Sequence, residues 1–338
     1  MIILMHDNAS GNDVEGVIIR AKELGLKPVP LYGEDQIMVV VTGEIDKIDP
    51  EHLESLPGVL QITRITSPFK FASRATKPED TIVEVRGVKI GGAYVALIAG
   101  PCAVETEEQT MMTAEIVKKA GCRILRGGAF KPRTTPYSFQ GLGEAGLKIL
   151  SAAGDRYDMP VVTEVLDPRD VELVSQYTDI FQIGTRNMQN FRLLEEVGKM
   201  RKPVMLKRGL AGTIKEWLLA AEYILSNGNQ DVILCERGIR TYEDMTRNTL
   251  DISAIPVVQE LSHLPIIVDP SHATGKPNCI PSMVKAGIAA GANGIMVDVH
   301  PNPSAALCDG PQALLPDPFN KMMKEAQVII KAIGKKVG

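Results

Sequence analysis

Residues 122–141 read CRILRGGAFKPRTTPYSFQG, and they pass abruptly from apolar to cationic. The run 122–125 is short and apolar, the pattern of a buried strand. Directly after it come Arg126, Lys131 and Arg133, with no acid between them. Gly127, Gly128, Pro132 and Pro136 break up any regular helix or strand across this part. The prolines also narrow the unfolded ensemble, which lowers the entropic cost of holding the charges in place. A planar guanidinium fork beside a lysine point charge suits phosphate oxygens, and Thr134 and Thr135 add hydroxyl donors. A merely solvated basic loop would need no such backbone restraint. A strand thus delivers a rigid anion-binding loop.

Working outward, the same unit recurs. Short apolar runs at 95–99, 123–125, 161–163, 180–183, 204–206, 232–234, 266–268 and 294–297 alternate with stretches of helical periodicity. The helical stretches include 107–119, 144–156, 190–200, 214–226 and 281–290, and a last one at 319–333. Such a series of βα units over about 250 residues predicts a TIM barrel. An open doubly wound sheet ranks second, because no G-x-G-x-x-G follows the first run. A small hairpin, 82–85 and 88–90 around Arg86-Gly87, precedes the barrel.

Barrel active sites lie at the C-terminal strand ends, and here every end is polar. In order they carry Cys102, Arg126, Glu164, Arg186 with Asn187, Lys207 with Arg208, and Glu236 with Arg237. The last two run from Asp269 to His272 and from Asp298 to His300. Cations at four of these ends point to a ligand with more than one anionic group. One thiol, one imidazole and two carboxylates, Cys102, His272, Asp298 and Asp309, also sit at or just past strand ends. Mixed S, N and O donors suit a borderline divalent ion such as Zn, Fe, Mn or Co. Spacing alone leaves alternatives open. Cys102 also suits a small buried hydrophobe, and His272 a loop residue bonded to backbone. Cys308 competes with its neighbour Asp309, the better donor for a hard site.

Residues 1–66 have a different rhythm. Strands at 2–5, 28–32, 37–41 and 59–65 and helices at 13–24 and 50–56 give βαββαβ, the ferredoxin-like split unit. Nothing in it looks catalytic; His6 and His52 read as surface residues. Residues 67–80 mix Pro, Ser, Lys and Arg without periodicity and read as a linker, leaving 81–338 for the barrel with its hairpin. With 37 basic and 41 acidic residues, the net charge of −4 argues against generic binding to nucleic acid or an anionic membrane. A 44% hydrophobic chain can build a sizeable core. It has no apolar run of membrane-spanning length and no basic flank before an apolar leader. Five unclustered cysteines suit reduced thiols, so a cytoplasmic protein is expected.

Seven strings now fall into one order: IAGPC (98–102), LRGGAFKPRTTPYSFQG (125–141), QIGTRNMQN (182–190), LKRG (206–209), ILCERGIRT (233–241), VDPSHATG (268–275) and VDVHPNPSAALCDGPQAL (297–314). Over about residues 80–335 they closely resemble the 3-deoxy-D-arabino-heptulosonate-7-phosphate (DAHP) synthases, in the short microbial branch shared with the 3-deoxy-D-manno-octulosonate-8-phosphate synthases. The octulosonate enzymes typically carry a KANR-like string where this chain has Lys131-Pro132-Arg133-Thr134. Residues 1–66 are similar to the ferredoxin-like regulatory domain fused to some members.

The resemblance implies a 3-deoxy-7-phosphoheptulonate synthase, joining phosphoenolpyruvate to erythrose 4-phosphate in the first step of the shikimate pathway. It implies that Arg126, Lys131, Arg186, Lys207 and Arg237, with Glu164 nearby, surround phosphoenolpyruvate. Arg133 and Thr134 then hold the aldehyde's distant phosphate. Cys102, His272, Asp298 and Asp309 bind a divalent metal, and Lys131, Cys102 and His272 stand at the reacting centre. Where such enzymes usually carry Glu, this chain has the shorter Asp298. Lys131, beside Arg126 and Arg133, is expected to titrate below an ordinary lysine through like charge. The resemblance further implies an aromatic amino acid effector at residues 1–66 and a homo-oligomer, a tetramer by analogy. The alternatives are an octulosonate synthase using arabinose 5-phosphate and a non-catalytic phosphosugar-binding regulator.

Overall fold

A computed structural model describes residues 1–33, 37–45, 48–63, 68–133 and 135–338. Contacts divide the chain into two units, Met1–Pro78 and Glu79–Gly338.

The smaller unit runs β1 (Ile2–Met5), α1 (Gly11–Glu23), β2 (Lys27–Tyr32), β3 (Ile37–Thr42), α2 (Glu51–Glu54) and β4 (Val59–Thr63). Its strands form an antiparallel sheet in the order β2-β3-β1-β4, the ferredoxin-like arrangement. Alternation places Ile3 and Met5 of β1 and Val39 and Val41 of β3 on one face. Val14, Val17 and Ala21 of α1, spaced for one helical stripe, close over them with Leu53. Helix α1 begins where it does because Ser10 and Asp13 form a capping box. The end of the fourth strand expected at 64–65 lies outside the described residues. In the segment 68–78, Phe69, Phe71 and Ala72 are buried, and Thr76 Oγ1 donates to the Lys70 carbonyl.

In the larger unit a hairpin, β5 (Val83–Val85) and β6 (Val88–Ile90), leads into eight parallel strands. These are β7 (Tyr94–Gly100), β8 (Ile124–Arg126), β9 (Val161–Glu164), β10 (Ile180–Ile183), β11 (Val204–Lys207), β12 (Val232–Glu236), β13 (Ile266–Val268) and β14 (Gly294–Asp298). Each pairs with the next, and β14 pairs back onto β7 from Gly294↔Ala96 to Asp298↔Gly100, so the barrel is closed. Almost every strand residue is buried, as parallel strands sheathed by helices must be. The hairpin's Val83, Val85, Val88 and Ile90 pack with one or two residues from every barrel strand, among them Ile98, Ile124, Val162, Met205 and Met296. The interior is therefore a filled core stoppered beside the strand beginnings, and no channel runs through it.

The helices Glu107–Lys119, Glu144–Arg156 and Ile214–Ser226 have the bounds that periodicity predicts. The last, Pro316–Ala332, starts about a turn earlier, because Pro316 suits the first helical position. Val171–Ser175 and Pro270–Thr274 are too short to show a helical period.

Candidate active site

The C-terminal strand ends border a cavity of about 390 Å³. Arg126 stands on β8 itself, and Lys131 and Arg133 on the loop behind it. Glu164 ends β9, Arg186 follows β10 and Lys207 ends β11. Arg237, Arg240 and Arg247 come from the segment after β12, His272 from the short helix after β13, and Cys308 and Asp309 from the loop after β14. Eight basic side chains thus line the cavity against two acidic ones, in a chain whose net charge is negative. Thr134 lies outside the described residues. Sequence reading passed over Arg240 and Arg247, although both stand in the cationic stretch after the sixth strand.

Local backbone makes room for these groups. A Cβ on Gly184 would lie 1.9 Å from Glu164 Oε1. Only glycine therefore lets that carboxylate lie where Gln182 Nε2 donates to it at 3.2 Å. A Cβ on Gly100 would lie 2.0 Å from the Arg126 carbonyl, so the tight β7–β8 approach at the site also requires glycine.

Arg126, Lys131, Lys207 and Arg237 are buried, and they are only partly satisfied. Arg126 Nη1 pairs with Asp298 Oδ1, and Lys207 Nζ with Asp269 Oδ2 at 2.5 Å. Lys131 Nζ donates to the Cys102 carbonyl at 2.9 Å and lies 3.1 Å from its sulfur. Arg126 Nε and Arg237 Nη1 are buried with no hydrogen-bond partner among the described residues. An unfilled donor on a buried cation is costly unless a ligand oxygen completes it. Burial holds Arg237 below the ordinary arginine value. Lys131 departs from expectation. Burial and the like charge of Arg126 do press its pKa down, but Cys102, Cys308 and Glu164 outweigh them, and it stands above the ordinary lysine value. It is a fixed ammonium.

At the cavity, two overlapping donor groups share one thiol: Cys102 with His272 and Asp298, and Cys102 with Cys308 and Asp309. Cys102 Sγ is 4.0 Å from His272 Nε2 and 3.4 Å from Asp309 Oδ2. His272 Nε2 is 3.5 Å from Asp298 Oδ2 and 3.8 Å from Asp309 Oδ2. A tetrahedral ion with bonds of about 2.0–2.3 Å would set its donors roughly 3.3–3.8 Å apart; the Cys102–Asp309, His272–Asp298 and His272–Asp309 separations fall in that range, and Cys102–His272 lies just beyond it. Asp309 is held at φ 50, a left-handed conformation uncommon outside glycine, which aims its carboxylate inward. Asp298 is also spoken for by protein: besides Arg126, Gln312 Nε2 donates to its Oδ2 at 2.8 Å. Cys308 is closer to this centre than its sequence position suggests. Its sulfur is 3.5 Å from that of Cys102, a hydrogen bond that, against its burial and with help from Lys131, brings its pKa down to about 7.

Not every strand-end group lines the cavity. Arg208 turns away and pairs with Glu236 at 2.9 Å and Asp251 at 2.8 Å. His300 is buried with its Nε2 facing Glu105 at 3.5 Å. Asp269 sits under Lys207 and His272.

Comparison with known proteins bears on the family and the fold. Residues 75–332 match the model of the DAHP synthetase I family, and residues 1–67 that of the DAHP synthase ferredoxin-like domain. The chain is 47% identical over 337 residues to phospho-2-dehydro-3-deoxyheptonate aldolase of Thermotoga maritima, covering all of both chains. The crystal structure of a Thermotoga maritima enzyme of that name superposes with a TM-score of 0.80 at 46% identity, over 100% of this chain and 99% of the other. More distantly, it is 31% identical over 269 residues to 2-dehydro-3-deoxyphosphooctonate aldolase of Syntrophotalea carbinolica, covering 74% of this chain and 96% of that one.

Proposed function

The chain belongs to the DAHP synthetase I family, and from that premise we propose that it condenses phosphoenolpyruvate with erythrose 4-phosphate to DAHP and phosphate, at the head of the shikimate pathway. The observation that carries this reading is a cavity lined by eight basic side chains together with His272 and Asp309, which meet Cys102 and Asp298 in two overlapping donor groups. The substrates bring two phosphates and a carboxylate, which suit a cavity with several basic side chains, four of them, Arg126, Lys131, Lys207 and Arg237, buried.

In this reading Arg126, Lys131, Arg186, Lys207 and Arg237 hold the phosphate and carboxylate of phosphoenolpyruvate, with the unfilled donors of Arg126 and Arg237 completed by its oxygens. Arg133, at the cavity wall, takes the distant phosphate of the aldehyde, with Thr134 as its expected companion. Two substrates clamped at both ends present C3 of one to the aldehyde carbon of the other, so orientation lowers the barrier before any bond changes. The new carbon–carbon bond forms there, water adds at C2, and the C2–O bond to phosphate breaks. Charge moves onto the aldehyde oxygen during attack, and the fixed ammonium of Lys131 is placed to donate to it or to the departing phosphate. Cys102, His272, Asp298 and Asp309 would hold a divalent metal, which supplies Lewis-acid polarisation of the carbonyl when bound. Mn, Fe, Co and Zn all suit this donor set.

The smaller unit, in this reading, regulates and does not catalyse: its described residues bury only apolar side chains up to residue 63. Its effector would be an aromatic amino acid, and the assembled enzyme a homo-oligomer, a tetramer by family analogy. A cytoplasmic setting fits the free cysteines; no helix among the described residues is long and apolar enough to cross a membrane.

The test is the fall in phosphoenolpyruvate absorbance on adding erythrose 4-phosphate, with Mn²⁺ and after chelation. Metal-dependent loss of absorbance is expected. Consumption only with arabinose 5-phosphate would assign the chain to octulosonate synthesis. Binding of both substrates without turnover under any metal would make it a regulator.

A further inference from the structure

Asp269 belongs to neither the cavity lining nor the donor groups, yet it is fully buried and touches both. Its Oδ2 lies 2.5 Å from Lys207 Nζ. The same carboxylate takes the Nδ1 side of His272, at 2.8 Å from Oδ2 and 3.0 Å from Oδ1. It also accepts the His272 backbone N–H at 3.1 Å, as the N-cap of Pro270–Thr274. Its own N–H donates to the Glu236 carbonyl at 2.7 Å, which ties the strand end to β12. A carboxylate has about four acceptor positions, and these contacts occupy most of them.

The His272 contact decides a tautomer. With Nδ1–H donated to Asp269, the lone pair at Nε2 faces Cys102, Asp298 and Asp309. The Lys207 contact decides a position: a flexible buried stem is held with its ammonium at the cavity wall. The effect extends further, because the His272 carbonyl accepts from Arg237 Nη2 at 3.1 Å.

We propose that Asp269 is a positioning residue that serves two sites at once, orienting His272 toward the metal and Lys207 toward the phosphoenolpyruvate anion. This inference rests on the synthase reading. A carboxylate that only capped a five-residue helix would not be sited between a lysine and an imidazole from two different strands.

The test uses the full-length chain with Asp269→Asn and Asp269→Ser. Serine keeps an N-cap acceptor for the His272 N–H and removes the carboxylate from both partners. Zn²⁺ affinity is read by competition with a chromophoric chelator, and phosphoenolpyruvate binding by calorimetry on the metal-free protein. The thermal midpoint and circular dichroism report folding alongside. We expect Zn²⁺ to bind about 10–100-fold more weakly and phosphoenolpyruvate at least about tenfold more weakly, in both variants. Wild-type affinity for both ligands in Asp269→Ser would reduce Asp269 to a helix cap and overturn the proposal. Loss of one affinity with the other intact would overturn the shared role. If the wild-type chain itself bound neither ligand, the synthase reading would fall and this inference with it.

Discussion

Residues 1–63 and the barrel treat polar side chains in opposite ways. Among the described residues from 1 to 63, every buried side chain is apolar, and Ser10 and Asp13 spend their hydrogen bonds at the surface on a helix end. The barrel instead buries Arg126, Lys131, Lys207, Arg208, Glu236, Arg237, Asp269 and Asp298, all at one end of its strands. Burying a charge is expensive unless partners are built around it. The larger unit can bear that cost because its lower half is a continuous apolar core, hairpin included. The contrast sets the apolar core and the candidate site at opposite ends of the barrel, while residues 1–63 bury an apolar core alone.

The largest test of that contrast is Lys131→Ala, which should cut kcat by about 10³-fold with the fold intact by circular dichroism; a fall of less than tenfold would mean that the fixed ammonium is not at the reacting centre. Arg208→Met addresses the buried charges that do not face the cavity. It strands Glu236 without its ion-pair partner, and unfolding in denaturant should show a loss of about 3 kcal/mol or more. Arg133→Ala should raise KM for erythrose 4-phosphate by roughly 10–100-fold with kcat little changed, since a remote phosphate contact is alike in ground and transition states. Should it weaken phosphoenolpyruvate instead, the two anion sites have been exchanged.

The small unit should answer far less. Ser10→Ala removes the cap of α1 and should cost about 1 kcal/mol, visible in the melting of that unit and absent from barrel kinetics. Smallest of all should be the effect on basal turnover of starting the chain at Glu79. That shortened protein is expected to keep kcat within a few-fold and to lose any response to tyrosine or phenylalanine. A folded but inactive barrel, or an unchanged response, would contradict the regulatory role. The shortened chain keeps the whole of the unit Glu79–Gly338, with its own closed barrel and core.

Much of this was legible in the chain. All eight barrel strands lie where short apolar runs predict them, and the cations past those runs do gather in one cavity. Cys102 and His272, proposed to hold the metal, were visible as strand-end groups. Direction was not visible. Lys207 and Arg208 are adjacent, as are Glu236 and Arg237, and in each pair one member faces the cavity while its neighbour turns to a buried ion pair. Lys131 looked destabilised by flanking arginines, whereas the folded loop sets it against the Cys102 sulfur and carbonyl.

The sequence by itself determined the barrel, because apolar periodicity is a local property that any stretch displays without its neighbours. It also pointed to an anion-binding site, since uncompensated cations on restrained loops have few other uses. Only the tertiary structure decided which cations remain unfilled, that Cys308 meets Cys102 across 206 residues of chain, and that Asp269 joins a lysine to an imidazole. Those facts depend on distances of a few ångströms between separate strands. Electrostatic and hydrogen-bond energies change steeply over such distances, and spacing along the chain carries no record of them.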